Sequence, residues 1–403
     1  MKINTYLSLL LLMPVLAGTV FAGEGRVEIS QADIAGGSYM IDESGSYVLT
    51  ENLVVTNVAT TCIFVDADNV SIDLNGFAIQ GPGTNSGSGI MQMFVPTLRN
   101  GLSVRNGSLT GWSQPGQAAI YAPGRNNRFR NLSVTESSLG LYVGNGQLIS
   151  SCTASGNYMG ISAGEGSIIS DCVSFQNEVF GISVGGGTVA RCSASGNGFG
   201  ISLSQGSVMT DCTVSGNSSN GIEVVDGGVV ANCISANNGD AGIMVEDSSL
   251  VSGCTVAWNG DDGIYAGNDV SVLGCSATRN GDAGICVRRG GLVSGCVALT
   301  NNVDGIEIEE GDGRITGNTM SHNELSGIYA KPASGRTHIQ NNTACYNDRR
   351  GFEISSPSNM VIKNIASENM FGTDPNYFFD DPNSHGPITS NETNTYECAN
   401  FEL

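Results

Sequence analysis

The sequence predicts an all-β chain wound as a single-stranded right-handed parallel β-helix, a solenoid with irregular N-terminal cap coils and a C-terminal tail. Three observations carry that expectation. A Gly followed by an apolar residue recurs at steps of 19 to 24 residues, from Gly140-Leu141 through Gly263-Ile264 to Gly351-Phe352. Cysteines keep the same clock at Cys152, Cys172, Cys192, Cys212, Cys233, Cys254, Cys275 and Cys296, and Asn318, Asn342 and Asn364 then take the equivalent place. Five residues beyond each of these stands another Asn, from Asn157 to Asn369. A fixed period of this length means stacked repeats.

Composition agrees. Of 403 residues 56 are Gly, which would weaken helices throughout, and only 14% are charged, against roughly a quarter in an average soluble protein. The 40% share of hydrophobic residues is too high for a disordered chain. With 17 basic against 38 acidic residues the net charge is -21, which makes nucleic acid and anionic membranes poor partners, because both bind through clustered cations.

In chain order, residues 1–22 read as a signal peptide. Lys2 precedes the apolar run Leu7 to Leu16, and Val20-Phe21-Ala22 supplies a cleavage site. No later segment approaches membrane-spanning length, so a secreted, cell-surface or periplasmic protein is expected, in a compartment where disulfides are allowed. Residues 23–110 hold irregularly spaced alternating strands, such as Val70 to Phe77, with a short helical turn at Gln31 to Ile34. These should form the cap and first, wider coils. Residues 111–369 are the regular coils, and 370–403 a capping tail. Roughly 13 coils at about 4.8 Å predict a rod of about 60 to 65 Å.

Within each coil, short stretches of period-two alternation separated by Gly and Asn leave no room for a helix. Three short strands per coil, each pairing with its counterpart in the next, fit the period. The Asn series then stacks into a ladder of amides, a structural role. The Gly before each Ile relieves either a turn with positive φ or a close contact. The Cys column reads as buried thiols packing as small hydrophobes. Disulfides between coils and metal binding are the alternatives, although parallel side chains hold Cβ atoms wider apart than a disulfide prefers and a linear stack offers no tetrahedral cage. Cys345 with Cys398 is a candidate clasp for the tail.

Counting from Gly-Ile predicts which side chains face outward. One column contains Tyr265, Cys286, Glu307, Tyr329 and Glu353, the next Gly267, Arg288, Glu309, Lys331 and Ser355. Glu307 and Glu309, about 7 Å apart along one strand, approach the carboxylate separation of inverting glycosidases. Together with Lys331 as a base and Arg288 they form the candidate catalytic group. Tyr265, Tyr329 and Glu353 are the candidate substrate contacts. A solvated cross-strand charge ladder is the plainer reading of Arg288, Glu309 and Lys331. A further column, Asp240, Asp261, Asp282 and Asp304, would repel unless its members cap backbone N–H groups or share cations, which makes it a candidate Ca²⁺ site.

The entry segment Ile72-Asp73-Leu74-Asn75-Gly76-Phe77, the Gly-Ile coils, and the tail with Asn376-Tyr377, Gly386-Pro387-Ile388 and Ala399-Asn400-Phe401 resemble secreted bacterial parallel β-helix repeat proteins of the pectate lyase-like superfamily. The resemblance implies an extracellular role connected with polysaccharide, as a lyase or glycoside hydrolase if the chain is an enzyme. It supplies no reaction. Asp261-Asp262-Gly263 and His385-Gly386 match polygalacturonase segments in letters, Arg314-Ile315-Thr316 lacks that family's final Lys, and the Asp-Pro-His-Asp signature of mannuronan epimerases is missing. The expected function is binding or modification of an extracellular polysaccharide on the outward face of the C-terminal third. A non-catalytic surface, adhesion or spacer protein is the alternative.

Overall fold

The computed structural model describes residues 25–56, 60–84, 86–94, 97–370 and 376–379, with the backbone of Ser384–His385, Ile388–Thr389 and Ala399–Phe401. The expected leader, residues 1–22, and Cys398 of the expected clasp lie outside the described residues.

The repeat folds as the period dictates, into a parallel β-helix. A typical coil runs through Met159–Ala163, Ser167–Ser170 and Val173–Phe175, and each strand pairs in parallel with its counterpart one coil on. The first strands of successive coils form a sixteen-stranded sheet from Tyr39–Ile41 to Tyr377–Phe379, hereafter sheet 1. Sixteen strands at about 4.8 Å give a rod of roughly 72 Å, longer than expected, because the irregular N-terminal coils already lay down rungs in register. The helical turn at Gln31–Ile34 is present as a 3₁₀ turn. At the far end Ala399–Phe401 runs antiparallel to Ile365–Ser367 and to Ile388–Thr389, so chain from the tail pairs with strand edges of the last coils.

Inward residues stack in columns. Ile161, Ile182, Ile201, Ile222 and Ile243 line sheet 1, and Ile169, Val189, Met209 and Val230 line the strand before the cysteines, all fully or almost fully buried. Each such side chain contributes about 1.5–3 kcal/mol by leaving water. This narrow, repeated core replaces a globular one.

The corners are made by residues in the left-handed region. One precedes each Cys or Asn of the first column (Ser151, Asp171, Arg191, Asp211, Asn232, Gly253), and one precedes each ladder Asn (Gly156, Gln176, Asn237, Trp258, Thr300), with φ between 52° and 63°. The glycines before each Ile serve the other purpose expected of them. A Cβ on Gly263 would lie 2.5 Å from the Gly284 carbonyl oxygen and 2.6 Å from Asn280 Nδ2. Close approach of coils, not positive φ, requires Gly there.

The Asn ladder is fully engaged. Asn157 Oδ1 accepts from Ser137 N, while Asn157 Nδ2 donates to Asn177 Oδ1 at 3.0 Å and to the Val134 carbonyl at 3.2 Å. The pattern repeats to Asn369, which donates to Asn376 Oδ1 at 2.9 Å. The eight column cysteines are buried, unpaired thiols. Cys152, Cys192 and Cys275 each donate their backbone N–H to the sulfur of the next coil at 3.4–3.5 Å, and Cys296 N donates to Asn318 Oδ1 at 2.8 Å. Asn318 N in turn donates to Asn342 Oδ1 at 3.0 Å. Sulfur and amide oxygen therefore do one job, accepting a buried N–H, which explains why Asn replaces Cys in the last coils.

Candidate functional site

The outward columns counted from Gly-Ile are in register. Strand pairing sets Tyr265 beside Cys286, Cys286 beside Glu307, Glu307 beside Tyr329 and Tyr329 beside Glu353. Two residues further along the chain come Arg288, still in its strand, and Glu309 and Lys331, each just past the end of its strand. Further back this face carries Ser162, Ser183 and Ser202, and Glu223 and Met244 follow on the two rungs before Tyr265, so from Ser162 onward the ionisable side chains begin at Glu223 and lie toward this end.

At its centre, Lys331 Nζ contacts Glu307 Oε1 and lies 3.3 Å from Glu309 Oε1. Cys286 Sγ donates to Glu307 Oε1 at 3.7 Å. Burial alone would lower the Lys331 pKa, but the two carboxylates outweigh it and raise it above the ordinary lysine value. The two carboxylates therefore favour the ammonium form of Lys331, whereas the base role expected of it needs the neutral amine. Burial, then the charges of Asp262 and Glu307, push the Cys286 thiol up. Burial and the charge of Glu309 likewise raise Tyr265. The ligand atoms of Cys286, Glu307 and Glu309 all lie within 4.8 Å of one another, so this cluster could hold a metal ion. That spacing also corrects the carboxylate separation of about 7 Å. Backbone spacing sets the Cα atoms, whereas the shared lysine draws the nearest carboxylate oxygens together, closer than the roughly 6.5–9.5 Å of inverting enzymes.

Three expected residues are placed differently. Arg288 does not ladder with Glu309. Its Nε lies 3.9 Å from Glu310 Oε1 and its side chain is half exposed. Glu353, only 4% exposed, is held by Arg349 at 3.0 Å, Arg350 at 2.9 Å and Ser326 Oγ at 2.9 Å. Its carboxylate is engaged by these three partners, so a substrate contact expected of it would have to compete with them. Asp304 does not stack with Asp240, Asp261 and Asp282. It stands one residue before Gly305, whereas those stand two before their glycines, so it shares a column with Asp262 and Ser326. Asp240 accepts from Ser219 Oγ at 2.5 Å, and Asp261 is raised by burial and by Asp282 and Asp240.

The column before the glycine was missed as a source of chemistry. Asp262 Oδ1 accepts from Ala283 N at 3.1 Å, and Asp304 Oδ1, in a residue 1% exposed, accepts from Ser326 N at 2.6 Å. Burial, with help from the Asp282, Asp261 and Glu307 charges, raises Asp262 to about 8. Burial also raises Asp304 to about 7, the Ser326 N–H opposing and Glu307 adding. Asn220 Oδ1 caps Ala241 N in the same way two coils earlier, so a carboxyl that keeps its proton serves where an amide otherwise does. The Asn220-Gly221, Asp262-Gly263 and Asp304-Gly305 spellings at one register position were the available signal.

Concave surfaces lie off this face, two of them at opposite ends of the regular coils. One of about 790 Å³ is lined by Pro115, Glu136, Leu139, Tyr158 and Glu178, and one of about 540 Å³ by Arg289, Asp312, Pro332 and Arg336. No helix among the described residues is long and apolar enough to cross a membrane.

The family described as "Right handed beta helix region" matches residues 97–238 and 226–371. No curated protein sequence matches the chain. Among solved structures, the A-module of the Azotobacter vinelandii mannuronan C-5 epimerase AlgE4 is 15% identical over 88% of this chain and 92% of its own, with a TM-score of 0.44. The periplasmic alginate epimerase AlgG is 10% identical over 86% and 84%, with a TM-score of 0.37. Tailspike protein 3 of bacteriophage CBA120 is 14% identical over 86% and 57%, with a TM-score of 0.41.

Proposed function

Because the chain belongs to the right-handed β-helix region family, we propose that it binds or modifies an extracellular polysaccharide along the outward face of sheet 1, across Tyr265, Arg288, Glu307, Glu309, Lys331 and Tyr329. The observation that carries this reading is the gathering of these residues on adjacent coils of one outward face. Tyr265 and Tyr329, three strands apart, offer ring surfaces about 14 Å from each other. Between them Glu307 and Glu309 can accept hydrogen bonds or a proton from sugar hydroxyls. Lys331 and the half-exposed Arg288 offer positive charge to an anionic sugar. The extracytoplasmic setting rests on the leader expected in residues 1–22. Ca²⁺ enters this reading as a bridge between an anionic polymer and the acids Asp240, Asp261 and Asp282 on a chain of net charge -21.

A spacer or adhesion role is the second reading, favoured by one observation: Lys331 is already engaged by Glu307 and Glu309. Incubating the protein with a polysaccharide panel, with and without Ca²⁺, separates the two. The proposal expects one class of polymer to be retained or shortened, with the effect falling at least about 10-fold in Glu309→Gln and Lys331→Ala variants that melt near wild type. Polymers neither bound nor shortened under any condition would leave the spacer.

A further inference from the structure

In the outward columns of sheet 1, a thiol stands at one coil where the neighbouring rungs carry Tyr and Glu. Cys286 is 3% exposed, belongs to none of the inward stacks, and its sulfur points at Glu307 Oε1 across a long 3.7 Å contact. Glu309 brings a third ligand atom, all three within 4.8 Å of one another. The cluster already holds a cation, the Lys331 ammonium, at the end of a flexible stem whose side chain is about one third exposed. That ammonium contacts both carboxylates, the position from which a metal ion would also reach them, and the stem can swing outward to release it.

We propose that Cys286, Glu307 and Glu309 form a binding site for a thiophilic divalent cation of the Zn²⁺ type, with Lys331 as the internal cation that occupies the site until the metal displaces it. Thiolate with carboxylate suits Zn²⁺ and neighbouring transition metals, whereas Ca²⁺ and Mg²⁺ take oxygen alone. Three protein ligands leave a fourth position open to water or to an oxygen of a bound molecule. Binding forms a metal–sulfur bond and releases the Cys286 proton to solvent, so affinity rises with pH. The site does not depend on the polysaccharide reading, and metal binding is measurable without any glycan.

Cobalt(II) titration of the full chain tests it, because a cobalt–thiolate bond gives a charge-transfer absorption band that oxygen ligation does not. The expected result is one equivalent of Co²⁺ producing that band, Zn²⁺ abolishing it, and Ca²⁺ in large excess leaving it. The band should vanish in Cys286→Ser, weaken at least about 10-fold in affinity in Glu309→Gln, and strengthen about 10-fold in Lys331→Met. If Cys286→Ser fails to fold, the Glu309→Gln and Lys331→Met shifts decide. No band in either wild type or Lys331→Met would overturn the proposal, as would a band retained in folded Cys286→Ser or unchanged affinity in both Glu309→Gln and Lys331→Met.

Discussion

Thr300 shows what the coil demands of single residues. Its φ is 55°, in the left-handed region, where a β-branched side chain meets its own backbone. The equivalent corners carry Gly156, Gly196, Gly216 and Asn237, which adopt that conformation at little cost. Trp258, Arg279, His322 and Tyr346 are also forced into it, so stacking overrides intrinsic preference along the whole row. Thr300→Gly should therefore stabilise the protein by about 1 kcal/mol, raising the midpoint of urea unfolding, whereas an unchanged or lower midpoint would mean that the corner carries no strain. The same logic made the corners hard to read from the sequence. The Asn and Cys columns announce themselves by identity, but the residue before each is dictated by position alone and its letter varies freely.

Between coils, the glycines before each Ile set how closely neighbouring turns approach. Gly263→Ala would drive a methyl group into the Gly284 carbonyl and Asn280, neither of which can yield without disturbing the ladder. A loss of about 2–3 kcal/mol is expected by chemical denaturation, and a loss below about 0.5 kcal/mol would contradict close approach as the reason for Gly. The outward columns were legible because strand alternation fixes which residues after Gly-Ile point out. Two things were not. The chain bends at the glycine, so Asp262 and Asp304, just before it, fell outside the count, and Asp304 was aligned one position off in a coil of different length. The reach of Lys331 to both glutamates depends on long side chains whose conformations no spacing determines. For the same reason the close approach of Glu307 to Glu309 was hidden.

The whole molecule inherits a pH response from its buried acids. Asp262 and Asp304 hold their protons up to about 8 and about 7, whereas in the unfolded chain they ionise near 3.8. Between those values the folded chain keeps protons that the unfolded chain has lost, so stability falls as pH rises from about 4 to about 8. The melting temperature should be higher at pH 5 than at pH 8. The difference should shrink in the Asp262→Asn/Asp304→Asn variant, whose amides accept the same N–H groups, and an unchanged difference would assign the response elsewhere.

Charge is also distributed unevenly along the rod. No Lys or Arg occurs between Arg191 and Arg279, while Arg288, Arg289, Arg314, Lys331, Arg336, Arg349 and Arg350 crowd into the next seventy or so residues. The acidic middle separates this mixed-charge end from a basic stretch nearer the N-terminus, where Arg99, Arg105, Arg125, Arg128 and Arg130 stand without an acid between them; the proposed binding face puts an anionic polymer at the Lys331 end. The most direct measurement of that claim is the affinity of whichever polysaccharide the panel identifies, compared between Tyr329→Ala on the outward face and Tyr158→Ala in the cleft near Glu136. The account predicts at least a tenfold loss in Tyr329→Ala and wild-type affinity in Tyr158→Ala. The reverse pattern would contradict it.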